Sequence, residues 1–447
     1  MLGKRKRACH GVRVSDSSAG PLDEPKSPLQ FRDFRRFWAA RFLAVFATLS
    51  MVVLIGYQTY DIARSDYGMD RPTAAFMLGL LGLVQFIPLM LLTPIAGAAA
   101  DRFDRRKVAA FSNAIDCIVA LLLGVLTWSD ALNLPVLFGL AACHGGSRIF
   151  GQPALSSIAP NVVPPRLLPR AIALSSIAWQ VGTVIGPAAG GLLFAVSPSL
   201  PYFLSAVLLL GSAALILSIR PIRAVREGHA HPLRDILEGL SFVRRKPLLL
   251  GCVTLDLFAV LLGGATAMLP VFARDILAVG PEGLGVMRGA PAVGATLVAV
   301  WLSWRPIENN VGNKMLISVA VFGVATIAFA LSRNFLLSLA FLAILGAADM
   351  ISVFIRNSLV QLATPDAKRG RVSATSGLAV SASNELGEMQ SGLAAAILGA
   401  TGAVVFGGAG AILVTALWAW LFPELRHAKT FDLPDHMQPA SQPETAP

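Results

Sequence analysis

Charge is scarce in this chain. Asp, Glu, Lys and Arg make up 14% of its 447 residues, against 55% hydrophobic ones. A soluble globular protein carries about a quarter charged residues, and the mean hydropathy of +0.66 widens the contrast. Water-soluble domains of this composition would expose more apolar surface than folding hides. Cysteine is rarer still: Cys9, Cys117, Cys143 and Cys252 are scattered, and so are the six histidines. That scatter excludes a disulfide framework, a zinc site of ordinary spacing and a redox pair. No H-E-x-x-H, P-loop, G-x-S-x-G or dinucleotide fingerprint occurs. The expectation is no enzyme, no cofactor and no metal, and no ATP-driven pumping by this chain alone.

What is abundant is apolar sequence in runs of about twenty residues, the length of a membrane span. The runs predict twelve spans at 37–62, 74–100, 107–128, 133–158, 171–195, 200–219, 248–272, 282–303, 314–332, 335–360, 372–398 and 402–422. Alternate connections then fall on opposite faces. The face with both termini holds 29 of the 37 Lys and Arg, the other face 4, and 4 Arg lie within spans. By the positive-inside rule both termini are cytoplasmic. The net charge of +11 is thereby explained by the bilayer, and no nucleic-acid partner is expected.

Residues 1–36 read as a disordered basic cytoplasmic tail. Lys4, Arg5, Lys6 and Arg7 are followed by no apolar core, so a cleaved signal is not expected. Residues 423–447 read as a second polar tail. Between them lie six spans (37–219), a basic connection (220–247) and six more spans (248–422). In the connection, Leu233, Ile236, Leu240 and Val243 follow helical 3/4 spacing and predict a stripe on the membrane surface. Equal halves suggest a duplicated six-span unit.

Two motifs carry more specific information. Gly97-Ala98-Ala99-Ala100-Asp101-Arg102-Phe103-Asp104-Arg105-Arg106-Lys107 joins spans two and three. It resembles the signature loop of the major facilitator superfamily, with Asp104 where the signature has Gly. Gly97 is expected to let two helices approach, Asp101 to pair with arginines or cap the next helix, and Arg102, Arg105 and Arg106 to anchor the turn. Asp104 is expected to keep the turn by accepting a left-handed conformation. In span five, Gly182, Gly186, Gly190 and Gly191 with Pro187 form a small-residue stripe with a bend. This resembles the pattern of superfamily drug/proton antiporters, and the resemblance implies export. The segments Ala40–Leu43, Gly56–Asp61, His231–Leu233 and Ser383–Glu388 are similar to the enterobactin-exporter-like family of transmembrane secretion effectors. The resemblance covers about residues 30–430 and implies an all-α membrane protein, twelve transmembrane helices in two pseudo-symmetric six-helix bundles.

A charge at bilayer depth needs a partner, water or a task. At about 1.5 Å per residue, Asp116, Asp256, Asp349 and Glu385 fall within a core about 30 Å thick, and Asp61 near its outer surface. Glu385 and Glu388 share a face of span eleven, where two buried acids cannot comfortably both ionise. Asp349 and Arg356 share a face of span ten, where a water or Ser352 is expected to join them. The deep groups comprise five carboxylates against Arg148, Arg288 and Arg356, a surplus of two acids that a proton-coupled site would show. Candidates to line a substrate cavity are Tyr57, Gln58, Gln85, Arg148 and Gln152, with Gln180, Phe258 and Asn357 from later spans. Trp301, Trp304, Trp418 and Trp420 are expected at the membrane interface. The resulting expectation is a monomeric, proton-coupled exporter of a small amphipathic molecule (siderophore, drug or metabolite) in the bacterial inner membrane. Its partners are that substrate, protons and the lipid bilayer. The rival readings are an uncoupled facilitator or importer, and a non-transporting sensor, scaffold or scramblase on the same fold.

Overall fold

Hydrocarbon offers no partner to a backbone N–H or C=O, so an apolar run crosses it as a helix that satisfies its own backbone. The computed structural model describes residues 27–222 and 232–431. The basic run at Lys4–Arg7, the loop histidines His229 and His231 and the chain beyond Phe431 lie outside them. Among the described residues there is no strand. The first half holds α1 (Arg32–Ser65), α2 (Arg71–Arg102), α3 (Arg105–Trp128), α4 (Leu134–Ser156), α5 (Leu168–Val196) and α6 (Leu200–Leu217). After α7 (Pro232–Arg244), the second half runs through α8 (Pro247–Leu262), α9 (Leu269–Val271), α10 (Gly280–Trp304), α11 (Val311–Leu331), α12 (Phe335–Leu362), α13 (Asp366–Leu421) and α14 (Pro423–His427). Ten of these stretches are long and apolar enough to cross a membrane. Of these, α13 crosses twice, because Gly399 (φ 73°) breaks it into two limbs. The less apolar α4, which carries His144 and Arg148, completes the twelve.

Several termini follow from side-chain caps. Asp70, Asn133 and Asn334 each accept from a backbone N–H three residues on, at 3.1–3.2 Å, the arrangement that satisfies a helix's first orphan donors. Asp104 departs from expectation. Its backbone is not left-handed (φ −58°, ψ 115°) because it serves as the N-cap of α3, accepting from the Arg106 N–H at 3.0 Å. The helix start, not a left-handed turn, is what an acid at this position provides.

Pairings repeat between the halves: α1 packs on α5 and α6, α2 and α3 on α4, α3 on α6; correspondingly α8 packs on α13, α10 and α11 on α12, α11 on α13. The halves meet through α2 with the first limb of α13 and α5 with α10, which are equivalent pairs exchanged by the pseudo-symmetry. In span five, Gly182, Gly186 and Gly190 lie against Val45, Phe46 and Ser50 of α1, while Gly191 lies against Pro281 and Gly285 of α10. The glycine stripe therefore seats α5 inside its own half.

Four sequence expectations change. The seventh span is not one helix: it breaks at Gly263–Gly264 and resumes through a 3-10 turn, α9 and a π-helical turn at Phe272–Ile276. α1 begins at Arg32, inside the expected tail, because Phe34 and Phe37 are fully buried. The α7 stripe is split. Val243 packs with Leu249, Val360 and Val372 and Ile236 O accepts from Thr375, whereas Leu240 is exposed. Finally, Trp304 and Trp420 are exposed as expected of interfacial residues, but Trp418 is buried and donates to Thr254 Oγ1 at 2.9 Å.

Two glycine substitutions of equal size should separate packing from open space. A Cβ on Gly186 would lie 2.7 Å from the Phe46 carbonyl oxygen, whereas one on Gly97 meets nothing within 4 Å. Gly186→Leu should lower stability by about 1–3 kcal/mol and Gly97→Leu by little, read as thermal unfolding in detergent. Equal midpoints would contradict the packing described.

Candidate functional site

Where the halves separate, they enclose a cavity of about 510 Å³. The α8 break supplies one wall: Gly263, Gly264 and Thr266 line it, and the Thr266 carbonyl, which already accepts the Leu269 N–H of the 3-10 turn, also accepts from Arg288 at 3.1 Å. The first limb of α13 supplies Glu385 and Glu388, α12 supplies Asp349, α4 supplies Arg148 and α2 supplies Gln85. Three carboxylates and two guanidiniums thus face one space near the middle of the bundle. Of the residues expected in a substrate cavity, Gln85, Arg148 and Gln180 line it. Gln180 also bridges the halves, donating to Ala292 O at 2.9 Å and Thr296 Oγ1 at 2.7 Å.

The other candidates lie elsewhere. Gln58 braces the first half, donating to Thr127 Oγ1 at 3.1 Å and accepting from Tyr202 at 2.7 Å. Tyr57 packs edge-on against Phe194, 5.5 Å between ring centres. Phe258 packs against Trp418, Asn357 is exposed, and Gln152 lines a smaller cavity with Arg41, Asp116 and Trp179. Aromatic and amide side chains serve packing as readily as binding, and residue type alone does not separate the two.

The expected link between Asp349 and Arg356 through Ser352 does not form. Arg356 turns to α8 and pairs with Asp256, both nearly fully buried, while Asp349 faces the cavity. Ser352 joins neither group; its hydroxyl is buried without a hydrogen-bond partner. The reach across to a neighbouring helix outcompetes the two-turn separation along α12. Asp116 is likewise engaged, 3.1 Å from His144 Nδ1 with both buried. His144 drew no attention in the sequence.

At the end of the bundle opposite the termini, the halves are closed by a network that spacing did not reveal. Asp275 accepts from Tyr60 at 2.8 Å and pairs with Arg71 at 3.1 Å and Arg64 at 3.6 Å. Its neighbour Arg274 pairs with Asp61 at 3.2 Å and donates to Ser65 at 2.8 Å. Three of that face's four cations take part, a concentration the charge map contained. Just inside it the helices touch backbone to backbone. Cβ atoms added at Gly79 or Gly82 would lie 2.7–2.9 Å from Gly392 Cα, Met389 O and Glu385 O of α13. Toward the termini the same helices part, and added Cβ atoms at Gly97, Gly370 and Gly377 meet nothing within 4 Å. The close approach expected at Gly97 is therefore absent in this conformation.

The signature loop lies at that open end. Arg106 is buried, donates to Ile219 O, and pairs with Asp104 at 2.6 Å. Burial alone would raise the Asp104 carboxyl, but hydrogen bonds from Arg106 outweigh it and hold the group below its ordinary value. Arg105 reaches Ser157 O at 3.4 Å, and Arg102 is exposed. The Asp101 side chain lies outside the described residues.

The Asp256–Arg356 pair reads as a brace. Removing one partner of a buried pair strands the other charge at about 3–5 kcal/mol, while an apolar replacement of both is often neutral. Asp256→Asn should therefore lower the unfolding temperature sharply, and Asp256→Leu with Arg356→Met should recover most of it. Failure of the double substitution to recover stability would argue for a role beyond packing.

Comparison with known proteins agrees with this architecture. The family profile described as transmembrane secretion effector matches residues 24–445. The enterobactin exporter EntS of Escherichia coli (strain K12) is 26% identical over 404 residues, 88% of this chain and 92% of that protein. The protein of the same name in Citrobacter koseri is 26% identical over 424 residues, 93% and 95% of the two chains. Among solved structures, a bacterial homologue of the iron transporter ferroportin superposes with a TM-score of 0.64 at 18% identity, covering 89% of this chain and 99% of that one. A D-xylose–proton symporter gives 0.65 at 14% identity, covering 89% and 99%. Fold, membrane crossings and sequence thus agree: the chain belongs to the transmembrane secretion effector family of major facilitator superfamily transporters, and it is a multi-pass membrane transporter, not an enzyme.

Proposed function

We propose that this transporter is a proton-coupled exporter that moves a small amphipathic molecule by alternating access. It would reside in the bacterial inner membrane with both termini in the cytoplasm. The observation that carries the reading is the placement of Glu385 and Glu388 on one turn of α13, facing the cavity beside Asp349, Arg148 and Arg288. With the termini cytoplasmic, the closed end is periplasmic and the cavity opens inward, the state that loads a substrate for export. Substrate entry and proton release at the acidic turn would favour opening of the outer end, and proton uptake from outside would reset it. Similarity to enterobactin exporters at 26% identity supports export and makes a siderophore one candidate class beside drugs and metabolites.

Proteoliposomes loaded with enterobactin, or with a cationic dye as a second probe, test the coupling. An imposed pH gradient should drive transport against the substrate gradient, and collapsing it should stop accumulation. Glu385→Gln with Glu388→Gln should cut gradient-driven transport by at least tenfold. Unchanged rates in that variant would refute the assignment, and transport indifferent to the gradient would favour an uncoupled facilitator.

The outer network predicts a change of state. Asp275→Asn removes the carboxylate that Tyr60, Arg64 and Arg71 of the first half share, so the closed end should loosen. Spin labels at exposed Tyr67 and Leu336, one on each half, should show longer separations in the variant. A distribution identical to wild type would mean that glycine packing alone keeps that end shut.

A further inference from the structure

Apart from the central cavity, a second and larger groove of about 1000 Å³ runs along the first half. Its walls are α2 and α3, which make few contacts with each other, and its floor is α4. The floor is deep because Ala142, Gly146 and Ser147 are small. Its serines offer a ligand little: Ser112 Oγ donates to Ser147 O at 2.7 Å and Ser147 Oγ to Ser112 O at 2.8 Å. The length of the groove is therefore effectively apolar. From Pro88 to Arg102 it extends about 21 Å along α2, from the membrane surface past the middle of a hydrocarbon core about 30 Å thick.

Polarity is confined to one rim, where Arg102, Asp104 and Lys107 stand. Asp104 is committed to Arg106, to which both its oxygens bond at 2.6–3.2 Å. Arg102 and Lys107 are exposed; neither lies within ion-pair distance of an acid among the described residues, and Lys107 acts on Asp104 only through space. The site thus has two exposed cations at headgroup level and an apolar slot reaching past the middle of the core below them. A soluble substrate would need polar partners along its length. A phospholipid needs them at one end only, and basic pockets between helices at the membrane surface suit anionic headgroups.

We infer that this groove binds an anionic phospholipid, one acyl chain lying on α4 between α2 and α3 and the phosphate held by Arg102 and Lys107. The inference rests on the membrane crossings and not on proton-coupled export. Because α2 also forms the crossing with α13, the occupant lies against a helix of the moving interface.

Native mass spectrometry of the full-length protein, titrated with phosphatidylglycerol or phosphatidylcholine, tests the site. Wild type should hold one phosphatidylglycerol in preference to phosphatidylcholine. Arg102→Gln with Lys107→Gln should weaken phosphatidylglycerol about thirtyfold, the loss expected of two headgroup-level cations, and leave phosphatidylcholine unchanged. Gly146→Leu, whose Cβ would already lie 3.3 Å from Leu92 Cδ1, should weaken both. Equal affinity of wild type for the two lipids would overturn the proposal. So would a preference for phosphatidylglycerol that survives the charge substitutions. Should Gly146→Leu fail to fold, the charge variant decides alone. Glu385→Gln with Glu388→Gln should keep the lipid, which separates failure of this site from failure of the coupling reading.

Discussion

The structure depends on a close approach of two backbones. Where α2 crosses the first limb of α13, Gly79 meets Gly392 and Gly82 meets the Glu385 carbonyl, with no room for a side chain between them. Lipid tails are as apolar as leucine, so helices in a bilayer associate through such packing and not through a hydrophobic drive. The crossing holds the halves together at one end only. It also fixes where chemistry can influence movement, because Glu385 and Glu388 stand on the turn that Gly82 touches. In the proposed cycle, a change in charge at that turn would act on the contact about which the halves tilt.

The second contact between the halves, α5 with α10, is the pseudo-symmetric counterpart of the first. There Pro187 and Gly191 meet Gly285 and Pro281, and Gln180 reaches Ala292 and Thr296 further along. The first crossing is tight near the Asp275 network and parts toward the termini, whereas the second stays in contact from Gly191 and Pro281 to Gln180 and Thr296. A rigid half tilting about this end would open the cavity on one side without unpacking either bundle, since the glycines at 182, 186 and 190 keep α5 seated on α1. In the proposed cycle, the ionic network supplies the breakable part of the closure and the glycines supply the pivot.

Most of the architecture was legible in the sequence because hydrocarbon punishes ambiguity: each crossing needs about twenty apolar residues and each connection carries a topological charge bias. The signature loop and the span-five glycines were legible for the same reason, being backbone constraints written in residue type. What could not be read were choices among neighbours. Arg356 selects Asp256 on another helix over Asp349 on its own, and that choice depends on how α8 and α12 lie. The Gly263–Gly264 break was visible as two glycines but not as a break, since glycine also serves close packing. Its consequence, a Thr266 carbonyl placed within reach of Arg288, exists only once the helices are assembled.

Sorting the deep charges by partner sharpens the electrostatic argument. Asp256 is matched by Arg356 and Asp116 by a hydrogen bond from His144, which removes two acids and one arginine from the cavity's account. What remains is Asp349, Glu385 and Glu388 facing Arg148 and Arg288 in one space, three acids against two cations. An uncompensated charge in a low-dielectric site is costly, so the surplus calls for a proton or for a cationic group on the substrate. A proton is the more general solution, because it is present in every step of a cycle while substrate is present in only some. Two acids on adjacent positions of one helical face, at the contact between the halves, are where its arrival and departure would change the packing most.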